Sequence, residues 1–422
     1  MPLTRILGGG EISEVSLIYN FFRNFNMKKK DIVSREAERQ FLALLRAGLW
    51  GGKADMACFP ESGLPDWKGI LYLGRSQAVL PLIYDGMLTL PEEMRLHGPA
   101  LMRLIAYVDR IEGLNRELDE ASAEISARLA AEGIRSVLLK GQGLAVLYRI
   151  PGHRQCGDID LYVGEENYRK AADIIRKWPD AEEGSAEKEK HVGFKFHGMD
   201  LELHRHALSM PGIRMAKKYK AWEYTKLMGS GQRIRLGESL NAVPDSSENT
   251  GGVPDRKTVQ IPSPQFDVFY TFCHAFFHFM ISGLGLRQLC DVVMLLHRFH
   301  TEMDVREFSA WLQEYKLDRE WKLFVCLMVR HLGLPAEEAP LYDSSFTGLS
   351  DQLLDTIFDD GNFGQYKSLP DYSRLPILLK KAGSLLNHHI IFWRRLKFSR
   401  RQTFRHYFHL WYIGLFAFIH EV

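Results

Sequence analysis

Residues Val137–Val163, VLLKGQGLAVLYRIPGHRQCGDIDLYV, contain the pattern from which the fold is predicted. Its β-rich start ends at a glycine turn, a helical segment then continues until Pro151, and DIDLYV follows as a second strand. Downstream, VGFKFH and MDLELHRH alternate apolar and polar residues on either side of Gly198, which predicts a hairpin. This order of elements predicts a small mixed or antiparallel sheet with packed helices.

Two aspartates on the second strand are the first candidate functional residues. Asp158 and Asp160 are two residues apart, so both side chains point to one face of the strand while Ile159 points to the other. Carboxylates placed in this way can share hard cations and leave coordination positions open for phosphate oxygens and water. We therefore predict a Mg²⁺ site at this face.

A third acid stands on a later strand. Glu202 lies between Leu201 and Leu203, in the same hydrophobic–acid–hydrophobic setting as the two aspartates. If the two strands are neighbours, Glu202 joins the metal site and could act as a general base toward an attacking hydroxyl. Asp200 has the same strand parity and is a rival for this role, but the flanking leucines favour Glu202.

The turn before the acids has features that suit phosphate binding. The first strand ends at Lys140, Gly141 and Gly143 allow a tight bend around Gln142, and the helix that follows offers free backbone N–H groups to an anion. Lys140 and Arg154 flank the turn and could neutralise phosphate charge. We predict that this turn binds phosphate groups.

Several histidines are secondary candidates. His204 follows Glu202 on the same strand, and His274 and His278 are four apart, on one side of a predicted helix. A zinc site at this pair is a weak alternative, because the residues between them lack the glutamate of a metalloprotease helix. Arg287 and Asp291 are also four apart and are predicted to form a structural ion pair across one helical turn.

The amino-acid composition argues against several classes of protein. The chain has 422 residues, 46% of them hydrophobic, and its 54 Lys+Arg nearly cancel its 52 Asp+Glu, leaving a formal charge of +2. This balance argues against a disordered chain and against a dedicated nucleic-acid binder. The five cysteines lack CxxC spacing, which is typical of reduced core thiols in a cytosolic protein.

The pattern along the chain predicts an α+β protein whose small sheet is flanked by mainly helical N- and C-terminal subdomains. The N-terminus lacks the order of a signal peptide, and no apolar run is long enough to span a bilayer. The predicted units are a disordered extension (1–26), a helical subdomain (27–130), the core (131–237), a flexible loop (238–258) and a second helical subdomain (259–422).

The C-terminal segment is basic and aromatic. Six cations lie between Arg394 and Arg405, interleaved with Phe398 and Phe404, ahead of an apolar stretch too short to cross a membrane. Three interpretations remain open: a core helix with a solvated basic face, a helix that binds a membrane surface or a polyanion, and an oligomer contact. We therefore expect a cytoplasmic protein, with peripheral membrane association as an option.

The ordered motifs resemble a known superfamily. Strand, glycine turn, helix, DxD strand and later acidic strand are similar to the DNA-polymerase-beta-like nucleotidyltransferases. Within it, LLKGQGLAVLY, the Arg154–Gly157 approach, DIDLYV and LELHRH resemble an uncharacterised bacterial nucleotidyltransferase family often associated with surface-polysaccharide gene clusters. The likeness extends from about residue 36 to at least residue 300.

The resemblance implies transfer of a nucleoside monophosphate from an NTP such as ATP to an acceptor hydroxyl, with release of pyrophosphate. It also implies that the transfer depends on Mg²⁺ or Mn²⁺. The family's metal acids fall on Asp158 and Asp160, its third acid on Glu202 and its glycine turn on Gly141. Two departures are evident. Gln142 follows the turn glycine where the superfamily commonly has serine or glycine, and the third acid is a glutamate where aspartate is frequent.

Three alternatives to an active nucleotidyltransferase of this kind are consistent with the sequence. The first is a non-catalytic nucleotide-binding or scaffold protein of the same fold. The second is an enzyme that modifies a protein or an RNA, although the near-neutral charge argues against general RNA binding. The third is a metal hydrolase centred on the histidines. The expected partners are an NTP and an unknown hydroxyl acceptor, with no specific nucleic acid.

Overall fold

A computed structural model describes residues 29, 32–61, 63–184, 190–210, 213–229, 231–240, 257–365 and 377–408. The predicted disordered extension (1–26) and most of the predicted flexible loop (241–256) lie outside these residues, as does the end of the C-terminal segment (409–422). The described part is an α+β structure in which a small mixed sheet stands among helices on both sides of it in sequence.

Four helices precede the sheet, namely α1 (Arg35–Trp50), α2 (Trp67–Ser76), α3 (Leu80–Met87) and α4 (Gly98–Ala131). Helix α1 begins because the Ser34 hydroxyl accepts a hydrogen bond from the Ala37 N–H, and it ends where Gly51 adopts a positive φ. Helices α1 and α3 touch at glycines, because a Cβ at Gly48 or Gly86 would collide with a backbone carbonyl of the other helix.

The central sheet has five strands: β1 (Val137–Leu139), β2 (Asp158–Tyr162), β3 (Ala181–Glu183), β4 (His191–Phe196) and β5 (Met199–His204). Their spatial order is β1-β2-β5-β4-β3. The β4–β5 hairpin turns at His197 and Gly198, both with positive φ, as the alternation around Gly198 predicts. Strands β2 and β5 are parallel, and the crossover between them includes helix α6 (Gly164–Ile175), whereas the other pairs are antiparallel.

A second, two-stranded sheet departs from the expectation that the chain from residue 259 is helical. Strand β6 (Gly231–Arg235) pairs antiparallel with β7 (Thr258–Pro262), and β7 lies against β1. The alternation in TVQIP explains the strand, since Val259 and Ile261 are buried while Thr258 is exposed. The helix α5 (Gly141–Ala145) that follows β1 is only five residues long.

The remaining described helices are α7 (Ile213–Gly229), α8 (Pro264–Ile281), α9 (Leu286–Phe299), α10 (Val305–Tyr315), α11 (Asp318–Leu332), α12 (Thr347–Asp360) and α13 (Ile377–Leu396), and residues 400–408 are also helical. Helix α8 is buried along most of its length among aromatic side chains. It is therefore a rigid support for the cleft residues that it carries. Within the described part of the chain, every helix is too short or too polar to traverse a bilayer.

The basic C-terminal segment is not uniformly solvated. Arg395 is buried and pairs with Asp360, and it also donates to the Phe279 carbonyl, so it belongs to the core. The exposed side chains are Trp393, Arg394, Lys397, Arg400, Arg401, Phe404 and Phe408. Cationic and aromatic groups thus share one stretch of surface, and the three interpretations of this segment stay open.

The glycine contact between α1 and α3 predicts a stability effect. Gly86→Ala should lower the free energy of unfolding by about 1–3 kcal/mol, because the new methyl group meets the Leu44 carbonyl. Gly113→Ala in α4 is the matched control, since its nearest neighbour would be an Arg116 side-chain nitrogen at 3.7 Å. It should raise stability by about 0.5–1 kcal/mol, as measured by urea unfolding, and equal effects at both positions would contradict the packing argument.

Candidate active site

The parallel pairing of β2 with β5 brings three acids together. Asp160 stands opposite Glu202 in the register, and Asp158 stands opposite Asp200. One carboxylate oxygen from each of Asp158, Asp160 and Glu202 lies within 4.8 Å of the others. Oxygen atoms from three carboxylates suit a hard divalent cation such as Mg²⁺ or Mn²⁺. The donor set therefore fits the cation that the sequence analysis expects.

The rival third acid is directed elsewhere. The Asp200 side chain is 67% exposed and forms an ion pair of 2.9 Å with Lys195 on the neighbouring strand. Glu202 is partly buried and lies beside Asp160. Of the two candidates, the structure thus places Glu202 in the acidic cluster.

Asp160 is the most buried member of the cluster, with a side chain only 2% exposed. Its Oδ2 lies 3.0 Å from Lys140 Nζ, and its Oδ1 lies 2.9 Å from His204 Nε2. Burial opposes ionisation, but the Lys140 charge and the His204 hydrogen bond outweigh it and hold the pKa of Asp160 well below its ordinary value. Asp160 is therefore a permanent anion at the centre of the site.

The other two acids differ in proton affinity. The charge of Asp160, together with burial, raises the pKa of Asp158 above its ordinary value. Burial also opposes ionisation of Glu202, but the hydrogen bond from His204 and the nearby His191 lower its pKa. A cation held between these acids would relieve the repulsion that raises the pKa of Asp158.

Histidines form a second group around Glu202. His191 and His204 stand opposite one another on β4 and β5, and with Glu202 they form another set that could hold a metal ion. Burial lowers the pKa of His204, but hydrogen bonds to Asp160 and Glu202 outweigh this effect and raise it. His191 was missed by the sequence analysis, although its place at the start of a strand paired with the acidic strand could have indicated it.

The glycine turn contributes only part of what the sequence predicts. Lys140 and Gly141 line the cleft beside the acids. Gln142 is buried, and its amide donates to the Asn115 carbonyl and to Asp119 Oδ1. A Cβ at Gly143 would lie 3.0 Å from the Ile261 side chain, so this glycine permits packing against β7. The expectation that Gln142 and Gly143 contact phosphate therefore lacks geometric support here.

Arg154 and Asp291 form a pair that corrects two expectations. Arg154 is 3% exposed, and its Nε and Nη2 lie 2.7 Å from the two oxygens of Asp291. Arg287, the expected partner of Asp291, instead donates from Nη1 to the Gln155 carbonyl at 2.6 Å. The bidentate geometry explains the preference, because a guanidinium satisfies both carboxylate oxygens at once. Arg154 is thus a structural cation, although it borders the cleft.

His274 and His278 line the same cleft as the acids. Their ring centroids are 4.4 Å apart, and His274 Nε2 is 3.4 Å from Lys140 Nζ. Burial, aided by the Lys140 charge, lowers the pKa of His274 well below its ordinary value and that of His278 to about 4. Both rings are therefore neutral near pH 7. Among the described residues, the groups that could hold a metal do not include this pair.

Two chambers meet at the acids, and Asp158 and Glu202 line both. The lysine chamber, about 340 Å³, is bordered by Lys140, Lys190, Arg287, His274 and His278. The amide chamber, about 430 Å³, is bordered by Gln155, Asn362, Asp200 and Arg287. The chambers differ in charge, because four basic side chains balance four carboxylates in the lining of the first, whereas Arg287 faces three carboxylates in the described lining of the second.

Phe363 stands where the two chambers join. Its backbone φ is +52°, which is rare for a bulky residue, and its side chain is 41% exposed. Its ring centroid lies 5.0 Å from that of His278. Residues in strained backbone conformations are concentrated at functional sites. Phe363 was not among the candidates predicted from the sequence, although the flanking glycines in GNFG could have indicated it.

Comparisons with known proteins identify the family of the chain. The model of a family described as "Uncharacterised nucleotidyltransferase" matches residues 64–333, which is more than half of the chain. A solved structure of an antigenic nucleotidyltransferase-like protein from Paracoccidioides brasiliensis is similar at 14% identity and a TM-score of 0.31, covering 55% of this chain and 97% of that one. No curated protein sequence matches the chain.

The structural assignment of Arg154 predicts a stability loss. Asp291→Asn should lower the free energy of unfolding by about 3–5 kcal/mol, because it leaves the Arg154 charge buried without its counterion. The double variant Arg154→Met with Asp291→Leu should lose less than the single variant, since no buried charge remains. Urea unfolding measures both, and a loss under about 1 kcal/mol for Asp291→Asn would contradict the assignment.

The raised pKa of His204 predicts a pH-dependent stability in metal-free buffer. Its charge stabilises the folded protein fully below the unfolded pKa of about 6.5, and this contribution is lost as the pH rises through the higher folded pKa. The difference in unfolding free energy between the wild type and His204→Asn should therefore shrink as the pH rises above about 6.5. Urea unfolding with EDTA measures it, and a constant difference up to about pH 9 would refute the prediction.

Proposed function

Because the chain belongs to the uncharacterised nucleotidyltransferase family, we propose that it transfers a nucleoside monophosphate from an NTP to an acceptor hydroxyl and releases pyrophosphate. One observation carries the proposal: oxygens of Asp158, Asp160 and Glu202 converge where two chambers join, one of which has more basic side chains than the other. Phosphoryl transfer requires charge stabilisation between a donor and an acceptor held in line. This junction offers both.

The lysine chamber is the proposed site of the triphosphate. Lys140, Lys190 and Arg287 border it, and their positive charges suit an anionic ligand. The neutral rings of His274 and His278 add hydrogen-bonding groups without adding negative charge. Gly141 lies in the same wall with a φ of +45°, so the backbone can approach a phosphate closely there.

The amide chamber is the proposed site of the acceptor. The side chains of Gln155 and Asn362 border it and supply amide donors and acceptors. A wall with several hydrogen-bonding groups favours a ligand that bears hydroxyls or other polar groups. With the Phe363 ring at its edge, this chamber suits a polar, hydroxylated acceptor that has an apolar face.

Different residues of this chain are assigned to the separate tasks of the proposed reaction. The acceptor oxygen forms a bond to the α-phosphorus, the bond from this phosphorus to the bridging oxygen breaks, and pyrophosphate leaves with that electron pair. Lys140 and Arg287 are placed to hold the phosphate oxygens during this exchange. The contribution of a divalent cation bound to Asp158, Asp160 and Glu202 would be neutralisation of the phosphate charge.

The hydroxyl proton passes to a carboxylate at the junction. The sequence predicts this role for Glu202, whose pKa is lowered by its histidine neighbours despite burial, so it is ionised and able to accept a proton. Glu202 also borders both chambers. We therefore assign the proton to Glu202 and the binding of the cation chiefly to Asp158 and Asp160.

The biological setting is also part of the proposal. The sequence resemblance to nucleotidyltransferases of surface-polysaccharide gene clusters makes saccharide hydroxyls the first acceptors to test. The exposed cationic and aromatic side chains between Trp393 and Phe408 would suit peripheral contact with an anionic membrane that carries such an acceptor.

Labelled NTPs test the proposal. With Mg²⁺ and a cell extract or a saccharide panel, the wild type should release pyrophosphate and label an acceptor. Asp158→Asn with Asp160→Asn should reduce this transfer by at least ~100-fold, because the cluster loses two of its three charges. Circular dichroism and the thermal midpoint check that the fold is retained.

A second glutamate of the same sheet serves as the control. Glu202→Gln should lose about 100-fold in rate, whereas Glu182→Gln, which removes the same charge from an exposed position on β3, should stay within about 3-fold. The reverse order would overturn the assignment of Glu202. Nucleotide binding without pyrophosphate release across all acceptors would favour the non-catalytic alternative.

A further inference from the structure

The Lys140 ammonium lies at the acidic cluster and neutralises part of its charge, as a bound metal ion would. The ammonium lies 3.0 Å from Asp160 Oδ2, and the side chain is only 14% exposed. The other oxygen of Asp160 lies 2.9 Å from His204 Nε2. Both oxygens of the central acid are therefore engaged by groups of this chain.

The position of Lys140 is built into the fold. The residue follows directly on β1, whose last residue, Leu139, stands opposite Asp160. Its backbone has φ +53° and ψ −143°, a region that glycine favours and other residues rarely adopt. A lysine in such a strained backbone conformation indicates a role for its side chain.

The second contact of Lys140 leads toward the lysine chamber. His274 Nε2 lies 3.4 Å from the ammonium, and burial keeps this imidazole neutral, so it can accept a hydrogen bond. The ammonium and Asp160 thus both line the chamber proposed for the triphosphate. A change of side-chain rotamer would exchange a carboxylate partner for a phosphate partner.

A divalent cation and Lys140 would compete for Asp160. Two positive charges within a few ångströms repel strongly where side chains are buried. A cation that reached Asp160 would therefore weaken the ion pair of Lys140, and a phosphate in the lysine chamber would offer the ammonium a new partner. Binding of either ligand makes binding of the other more favourable.

We propose that Lys140 is a displaceable internal counterion of Asp160 that couples metal binding to nucleotide binding. The inference rests on the proposed function and adds that the free enzyme binds the metal weakly until a triphosphate draws Lys140 away. Coupling between two ligands is reciprocal, so it appears in either titration.

Binding measurements test the coupling without turnover. Mn²⁺ is titrated by electron paramagnetic resonance, alone and with saturating α,β-methylene ATP, which cannot release pyrophosphate. In the wild type the analogue should tighten Mn²⁺ binding by roughly 5- to 150-fold. Lys140→Met should bind Mn²⁺ alone at least ~10-fold more tightly than the wild type, and the effect of the analogue should fall by a similar factor.

Two further variants make the result decisive. Lys190→Met removes an equal charge from the same chamber and should change the affinity for Mn²⁺ alone by less than about 3-fold. Lys140→Gly, whose backbone accepts the local φ, should reproduce Lys140→Met and serves if the methionine variant folds poorly.

The outcomes separate this inference from the proposed function. Unchanged or weaker Mn²⁺ binding in both Lys140 variants overturns the coupling and leaves the transferase proposal standing. Equal tightening in Lys190→Met also overturns it, since general charge would then explain the effect. If the wild type binds neither Mn²⁺ nor the analogue while remaining folded, the proposed function and this inference both fail.

Discussion

The parallel hydrogen bonding of β2 with β5 is the constraint on which the site depends. In this register Asp160 lies opposite Glu202 and the leucine beside each acid packs inward, so one pairing fixes both the core and the acidic cluster. A shift by one residue would turn the acids into the core and the leucines into the cleft. Burial of Leu161 and Leu203 therefore enforces the approach of carboxylates that repel one another.

That approach requires positive charge from elsewhere in the chain. Lys140 from the end of β1 and His204 from the end of β5 engage the two oxygens of Asp160. Their contacts explain why one aspartate of the pair stays ionised while the other has a raised pKa.

The local parts of the site could be predicted from the sequence, because they depend on spacing along a strand. Alternation placed Asp158 and Asp160 on one face, and the same pattern identified Glu202 as the acid that joins them. Contacts between distant segments could not be predicted in this way. The i,i+4 spacing suggested Arg287 for Asp291, whereas tertiary packing delivers Arg154, whose fork matches both carboxylate oxygens. Gln142 was likewise assigned by its place in the turn, and its burial against α4 depends on packing that spacing does not reveal.

The difference in charge between the two chambers is the basis for assigning one to the nucleotide and the other to the acceptor. Lys140, Lys190 and Arg287 line the first chamber, whereas Arg287 and the amides of Gln155 and Asn362 line the second. Under the proposed function the triphosphate binds on the first side, where more cations offset the carboxylates. In the same proposal the acceptor occupies the amide chamber, across the acids from the leaving pyrophosphate. In-line displacement needs the attacking and leaving oxygens on opposite sides of the phosphorus, and the unequal charge of the two walls is the reason for proposing this order of donor and acceptor.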